Sequence, residues 1–144
     1  MPSIVFRPDP GVWRTVLASI GDRPEGRPGV VDESRAALVV TTLPDDRPHE
    51  TDYIRTVLRW SERIGAECPV IGWDLRGERL VVRIEPTGPI VRFRRLVEEA
   101  ADVFGWLPDP FDPVMTVASN GTKRPETPFP FRRIVLRGPD IDEA

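Results

Sequence analysis

Two short apolar stretches of this chain carry hydroxyl groups. LVVTTLP, residues 38–44, holds Thr41 and Thr42, and DPVMTVA, residues 112–118, holds Thr116. Side chains alternate along a strand, so Val114 and Thr116 share a face, as do either Val39 with Thr41 or Val40 with Thr42. A third stretch, residues 78–85, sets Arg79 and Arg83 on the face opposite Leu80, Val82 and Ile84. A threonine hydroxyl both donates and accepts, and the planar arginine fork grips a phosphate through two parallel N–H bonds. Thr41, Thr42, Thr116, Arg79 and Arg83 are therefore the candidate ligand-binding set. The competing reading of the two arginines is a solvated sheet face.

Other chemistry is excluded by counting. His49 is the only histidine and Cys68 the only cysteine. Two-imidazole catalysis, an intrachain disulfide, a four-cysteine zinc site and a His-rich metal site are all impossible. No residue is assigned a catalytic role, no metal site is expected and no cofactor is implied. There is no GxxxxGK[ST], no GxGxxG after a strand and no GxSxG. His49, beside Pro48, reads as a solvated residue at a helix entry, and Cys68 as a small core residue. Asp45-Asp46 and Glu98-Glu99 are sequence neighbours whose side chains point apart, which suits surface better than a carboxylate dyad. Arg92, Arg94 and Arg95 read as a solvated helix face, and the four tryptophans as packing residues.

The elements that must position these groups follow from periodicity and punctuation. Residues 3–6 are a strand candidate. Asp9 and Pro10 open a helix with Val12, Val16, Leu17 and Ile20 on one face and Gly21 at its end. Residues 21–29 form a Pro/Gly/Arg loop. Residues 36–43 (AALVVTTL) are a β-branched strand. Thr51 caps a second helix with the stripe Ile54, Val57, Leu58 and Ile64, closed by Gly65. Residues 69–74 and 78–85 form a hairpin about Arg76-Gly77. Thr87 or Pro89 opens a third helix with Phe93, Leu96, Val97, Ala100 and Phe104 as its stripe. After the PDPFDP connector come strands at 114–118 and 131–137, and residues 140–144 read as a frayed tail. The order is β-α-β-α-β-β-α-β-β, an α+β fold with helices against a mostly antiparallel sheet.

Length and charge bound the rest. A chain of 144 residues is one compact domain, 1–144, large enough to bury a core. Twenty basic and 23 acidic side chains give a net charge of -3. That excludes a strongly basic nucleic-acid coat but allows a local basic face. All the basic residues but Lys123 are arginine. No apolar run approaches the ~20 residues of a membrane span, and residues 1–6 do not resemble a signal segment. The expectation is a cytoplasmic protein without a membrane partner.

In DPVMTVA, in the later IVLRG segment, and in the hairpin and helix that precede the second threonine strand, the chain resembles the 2H phosphoesterases, the superfamily of 2′-5′ RNA ligase-like and cyclic phosphodiesterase proteins. Those proteins carry two His-x-Thr/Ser motifs on strands of two pseudo-symmetric lobes around a cleft. The resemblance implies two ferredoxin-like lobes here, with Thr116 and Thr41 or Thr42 at the hydroxyl positions. Val114, and Val39 or Val40, then stand where the family has its histidines, and an alkyl group cannot transfer a proton. The implied function is a non-catalytic domain that binds a phosphorylated ligand (a nucleotide, cyclic nucleotide or RNA end). The alternatives are a structural or protein-interaction subunit on the same scaffold, and a phosphodiesterase with displaced catalytic residues.

Overall fold

The computed structural model describes residues 2–20, 29–119 and 123–143. Its elements run β1 (Ser3–Pro8), α1 (Pro10–Ala18), β2 (Leu38–Thr42), α2 (Pro48–Trp60), β3 (Ile64–Arg76), β4 (Arg79–Ile84), α3 (Gly88–Phe104), β5 (Val114–Ala118) and β6 (Arg133–Asp142). The strands form one six-stranded sheet in the order β2-β1-β6-β3-β4-β5, and every neighbouring pair is antiparallel. The fold is α+β, with three helices among the described residues.

β3 carries the sheet across its middle. Its first part, Ile64 to Pro69, pairs with β6, and its second part, from Val70 onward, pairs with β4. The handover coincides with Pro69, which has no N–H to donate, and with a register shift between Val70 and Gly72. Gly72 has φ +143, a conformation that L side chains rarely adopt. This bend lets the two edge strands, β2 and β5, approach each other.

One face of the sheet packs on the helices. Phe6, Leu38, Leu80, Ile84, Met115 and Leu136 are fully buried there, with Trp13 and Val16 of α1 and Ile90 of α3. Each such side chain contributes about 1.5–3 kcal/mol on burial. Cys68 lies in this core, fully buried. β6 alternates as its sequence demands, with Ile134 and Leu136 buried and Arg133 and Arg137 exposed. Val5 and Val81 are also buried but stand outside the helix-packed cluster, because they point to the other face.

Several local expectations are corrected. α1 ends at Ala18 with Ser19 at its C-cap, and Gly21, with residues 22–28 of the proposed loop, lies outside the described residues. α2 begins at Pro48, so Thr51 does not cap it; its hydroxyl donates to the Pro44 carbonyl oxygen at 3.1 Å, tying the first turn to the preceding loop. Ile64 and Gly65 belong to β3, since pairing with Gly138 and Arg137 of β6 overrides their helical spacing. The expected frayed tail is a strand through Asp142, with Ile141 opposite Ile4. In α3 the buried line is Ile90, Arg94, Val97 and Ala101, whereas Leu96 is 60% exposed. The stripe read from sequence lines a groove beside α2, with Val97 also on the buried line and Phe93 packed edge to face on Phe6 of the sheet at 6.0 Å. No described helix is long and apolar enough to cross a membrane.

Candidate functional site

β5 forms one wall of the candidate site and alternates from Val114 to Thr116, ahead of a bulge at Val117. Met115 and Val117 are buried in the core, and Val114 and Thr116 face the other way, half-buried. Val114 lies opposite Arg83 and Thr116 opposite Val81 on β4. Opposed residues of an antiparallel pair share a face, so Val81 is floor beneath Thr116. The register shifts between Leu80 and Val81, and Arg79 then reaches across to donate from Nη1 to Thr116 Oγ1 at 3.3 Å.

β2 forms the other wall and does not alternate. Val39 lies opposite Val5, Thr41 opposite Ile4 and Thr42 opposite Ser3, leaving Val40 as an extra residue at a bulge. Ile4 points into the core, and Thr41 is 2% exposed. Its hydroxyl has only a long, weak bond to the Thr42 carbonyl oxygen, at 3.5 Å. Ser3 and Val5 share the opposite face, which therefore also presents Thr42 and Val39. Neither of the two sequence registers describes this strand, because both assumed unbroken alternation.

Between these walls lies a concavity of about 530 Å³, lined by Val39 to Thr42, by Val114 and Thr116, and by Arg79. The PDPFDP connector supplies Asp109 and Asp112, and Arg35 and Asp142 complete the rim. Its volume falls in the ordinary range for small-molecule sites. The segment before β2 closes one end: Val31 N–H donates to the Val117 carbonyl oxygen at 2.9 Å, and Val30 bridges Ala118.

The charges around the concavity are unequally satisfied. Asp112 Oδ2 is 3.5 Å from Arg76 Nε, and Asp142 Oδ2 is 3.6 Å from Arg7 Nη2. Arg79 is exposed and makes no ion pair among the described residues; its partner is the Thr116 hydroxyl. Arg83 differs. Its Nε lies 4.0 Å from Asp74 Oδ2, a carboxylate that also takes Arg76 Nη1 at 2.5 Å, and it does not line the concavity. Of the five residues singled out by sequence, Thr41, Thr42, Thr116 and Arg79 line one concavity, and Arg83 stands aside.

Arg35 is set by a small loop. Asp32 accepts hydrogen bonds from the Ser34 hydroxyl and from the Ser34 N–H at 2.8 Å, and these hold its carboxyl below the usual aspartate value. Glu33 pairs with Arg14 of α1, whose guanidinium holds that carboxyl below the usual glutamate value.

Sequence reasoning missed Arg94. Its side chain is buried, not a solvated member of an arginine face. It donates from Nη1 to the Val40 carbonyl oxygen at 2.6 Å, from Nη2 to the Asp109 carbonyl oxygen at 2.6 Å, and from Nε to Glu98 at 2.9 Å. Its guanidinium lies 5.5 Å from the centre of the Phe111 ring. One side chain thus ties the β2 bulge to the connector that leads into β5. Its position four residues after Ile90 and three before Val97 is the signal that placed it on the buried line. His49 is exposed in the first turn of α2 and does not line the concavity. Among the described residues no three His, Cys, Asp or Glu side chains converge as metal ligands. Comparison with known proteins finds no matching family model, no matching curated protein and no matching solved structure.

Proposed function

We propose that this chain is a non-catalytic, 2H phosphoesterase-like domain that binds a phosphorylated ligand between β2 and β5. On this reading the two parts of the sheet, joined through β3, act as two ferredoxin-like lobes around a cleft. The observation that carries the proposal is Arg79. It is the rim cation hydrogen-bonded to a threonine hydroxyl, it has no carboxylate partner among the described residues, and it fronts a concavity of ligand size. A phosphate oxygen pair bound by its fork gains charge-assisted hydrogen bonds, with Thr116 and Thr42 as further polar partners. The acidic rim residues suit a ligand that also carries hydroxyl donors, as a nucleotide ribose does. A free inorganic anion would meet those carboxylates with nothing to offer them. On this reading Val114, and Val39 or Val40, stand where the resembled family has its histidines, and an alkyl group cannot transfer a proton, so the family's acid–base pair is missing and binding is what the hydroxyl positions retain.

Titration calorimetry with nucleoside monophosphates, 2′,3′-cyclic nucleotides and short phosphorylated RNAs tests this. We expect at least one class to bind, Arg79→Ala to weaken it about tenfold or more, and Arg83→Ala to change it less than about twofold. Absence of binding at millimolar ligand, or an Arg79→Ala variant that binds as the parent does, overturns the reading.

A further inference from the structure

We infer that the face formed by α2 and α3 is a self-association surface on which a second copy of this chain docks, its α3 antiparallel to the first about a two-fold axis near Val97. The two helices are neighbours. Tyr53 and Phe104 meet edge to face at 6.0 Å, and Arg47 Nη1 donates to the Phe104 carbonyl oxygen at 2.6 Å. α2 leaves Tyr53, Val57 and Trp60 exposed at helical spacing, Trp60 at 88%, and α3 leaves Leu96 and Val103 exposed, at 60% and 80%. An apolar groove of about 260 Å³ runs between them and shares no lining residue with the concavity at Arg79. Single exposed apolar side chains are ordinary, but stripes on two adjacent helices around a groove mark a docking face.

The charges on α3 identify the occupant. Its first half carries exposed Arg92 and Arg95, and its second half exposed Glu98, Glu99 and Asp102. That order opposes the helix dipole, which favours acids near the N-terminus and bases near the C-terminus. It also runs against the better acid-before-base order for pairs four apart. None of Arg92, Arg95, Glu99 and Asp102 makes an ion pair among the described residues, although Arg95 and Glu99 are four apart. An antiparallel copy of α3 resolves the arrangement. Arg92 and Asp102 are each five residues from Val97, and Arg95 and Glu99 each two, so one axis sets Arg92 of one copy against Asp102 of the other and Arg95 against Glu99. An isologous two-fold contact requires this kind of self-complementarity, and an unrelated partner does not. The exposed Leu96 then sits beside the axis, inside a rim of charge pairs.

Sedimentation velocity on the full chain, from about 1 µM to about 500 µM, reads the association directly. We expect a concentration-dependent dimer, weakened about tenfold or more by Leu96→Asp and left intact by Leu107→Asp, whose side chain is exposed but does not line the groove. The doubly reversed variants Arg92→Glu/Arg95→Glu and Glu99→Arg/Asp102→Arg should each stay monomeric and should form a dimer when mixed. All of these sites are exposed, and circular dichroism confirms that each variant is folded. A parent chain that remains monomeric throughout, or reversed variants that dimerise alone or fail to dimerise together, overturns the inference and leaves the face to another protein or to solvent. None of these outcomes bears on ligand binding at Arg79.

Discussion

The two walls of the concavity are built differently from similar residues. β5 is a five-residue strand whose own bulge, at Val117, falls beyond its threonine, so Thr116 and Val114 stay on the open face where a period of two puts them. β2 is equally short and equally rich in β-branched residues, but a bulge at Val40 interrupts it and sends its two threonines to different environments. Thr41 is buried with a poorly satisfied hydroxyl, while Thr42 looks out on the face that also presents Asp142, since the two pair with Ser3 from either side of β1. Composition makes both segments strands. Only the partner strand decides which hydroxyl a ligand meets. The bulge of β2 also presents a carbonyl, that of Val40, to the buried Arg94 side chain, whereas the carbonyl of Val117 in β5 is met by the Val31 backbone N–H, so only the β2 wall depends on a side-chain clamp.

The strongest way to break the asymmetry is to remove that clamp. Arg94→Ala leaves the Val40 and Asp109 carbonyl oxygens without their donor in a buried setting and removes the packing against Phe111. We expect a loss of about 3–5 kcal/mol in chemical denaturation, in the range for breaking a buried charged network. Arg83→Ala removes a pair that lies largely in solvent and should cost less than about 0.5 kcal/mol. Equal losses for the two variants would mean that Arg94 is not what holds β2 to the connector.

The threonines sharpen the comparison at smaller scale. Thr41→Val replaces a hydroxyl whose only bond is long with a methyl group in an apolar setting. The expected result is stability unchanged or raised by up to about 1 kcal/mol, with ligand affinity unchanged. Thr116→Val acts in the opposite sense. It should leave stability within about 0.5 kcal/mol, because the site is half-buried, but it removes the acceptor that orients Arg79 and should weaken phosphate-ligand binding several-fold. Paired melting curves and calorimetry separate the two. A Thr41→Val variant that loses affinity as Thr116→Val does would place both hydroxyls on the open face and contradict the bulge.

How much of this was legible depended on whether the decisive information was local. Element order, the β5 strand and the alternation of Leu80, Val82 and Ile84 are written in neighbouring residues, and they were read; the hairpin turn was read one residue early, since Arg76 still pairs with Arg79 and the turn is Gly77-Glu78. The extension of β6 through Asp142 depends on Ile4 and Val5, more than 130 residues away, and a short acidic ending gives no local sign of it. The rotation of the α3 stripe follows the same rule. Phe93, Leu96, Val97, Ala100 and Phe104 are a genuine apolar line along the groove beside α2, but only Val97 of them is also on the buried line, with Ile90, Arg94 and Ala101, and Phe93 reaches Phe6 of the sheet from its edge. A single arginine on the buried line was discounted because arginine is usually outside, and its carbonyl partners are invisible to any pattern of side chains. For the site, residue type singled out Thr116 and Arg79, and both line the concavity. It could not separate Arg79 from Arg83, which share a strand, a face and a charge. Asp74 separates them, by neutralising one and not the other.

Acid should loosen the β2 side of the concavity through the loop that leads into it and leave the β5 strand in place. The loop that delivers Arg35 and leads into β2 is held by two ionised carboxylates, Asp32 on Ser34 and Glu33 on Arg14, whereas β5 itself, Val114 to Ala118, carries no titratable side chain. Both carboxyls are held below their ordinary values of 3.8 and 4.5, the first chiefly by the Ser34 hydroxyl and the second by the Arg14 guanidinium. A carboxyl depressed in the folded state binds its proton more readily when the loop is released. Its contribution to holding the loop is therefore complete above the ordinary value and is lost as pH falls through the lower folded value. Both groups are open to solvent, so the effect is local rather than a global unfolding. Carboxyl carbon titration by NMR should give midpoints below 3.8 for Asp32 and below 4.5 for Glu33. Amide shifts around Val31 to Ala37 should move with them, and those of Val114 to Ala118 should not. Asp32→Asn should abolish the first midpoint and move the second, if at all, downward, because the neighbouring Asp32 charge raises Glu33. Titration at or above the ordinary values, or shifts spread equally over both walls, would show that the loop is not anchored by these carboxylates and that the two walls respond to acid as one.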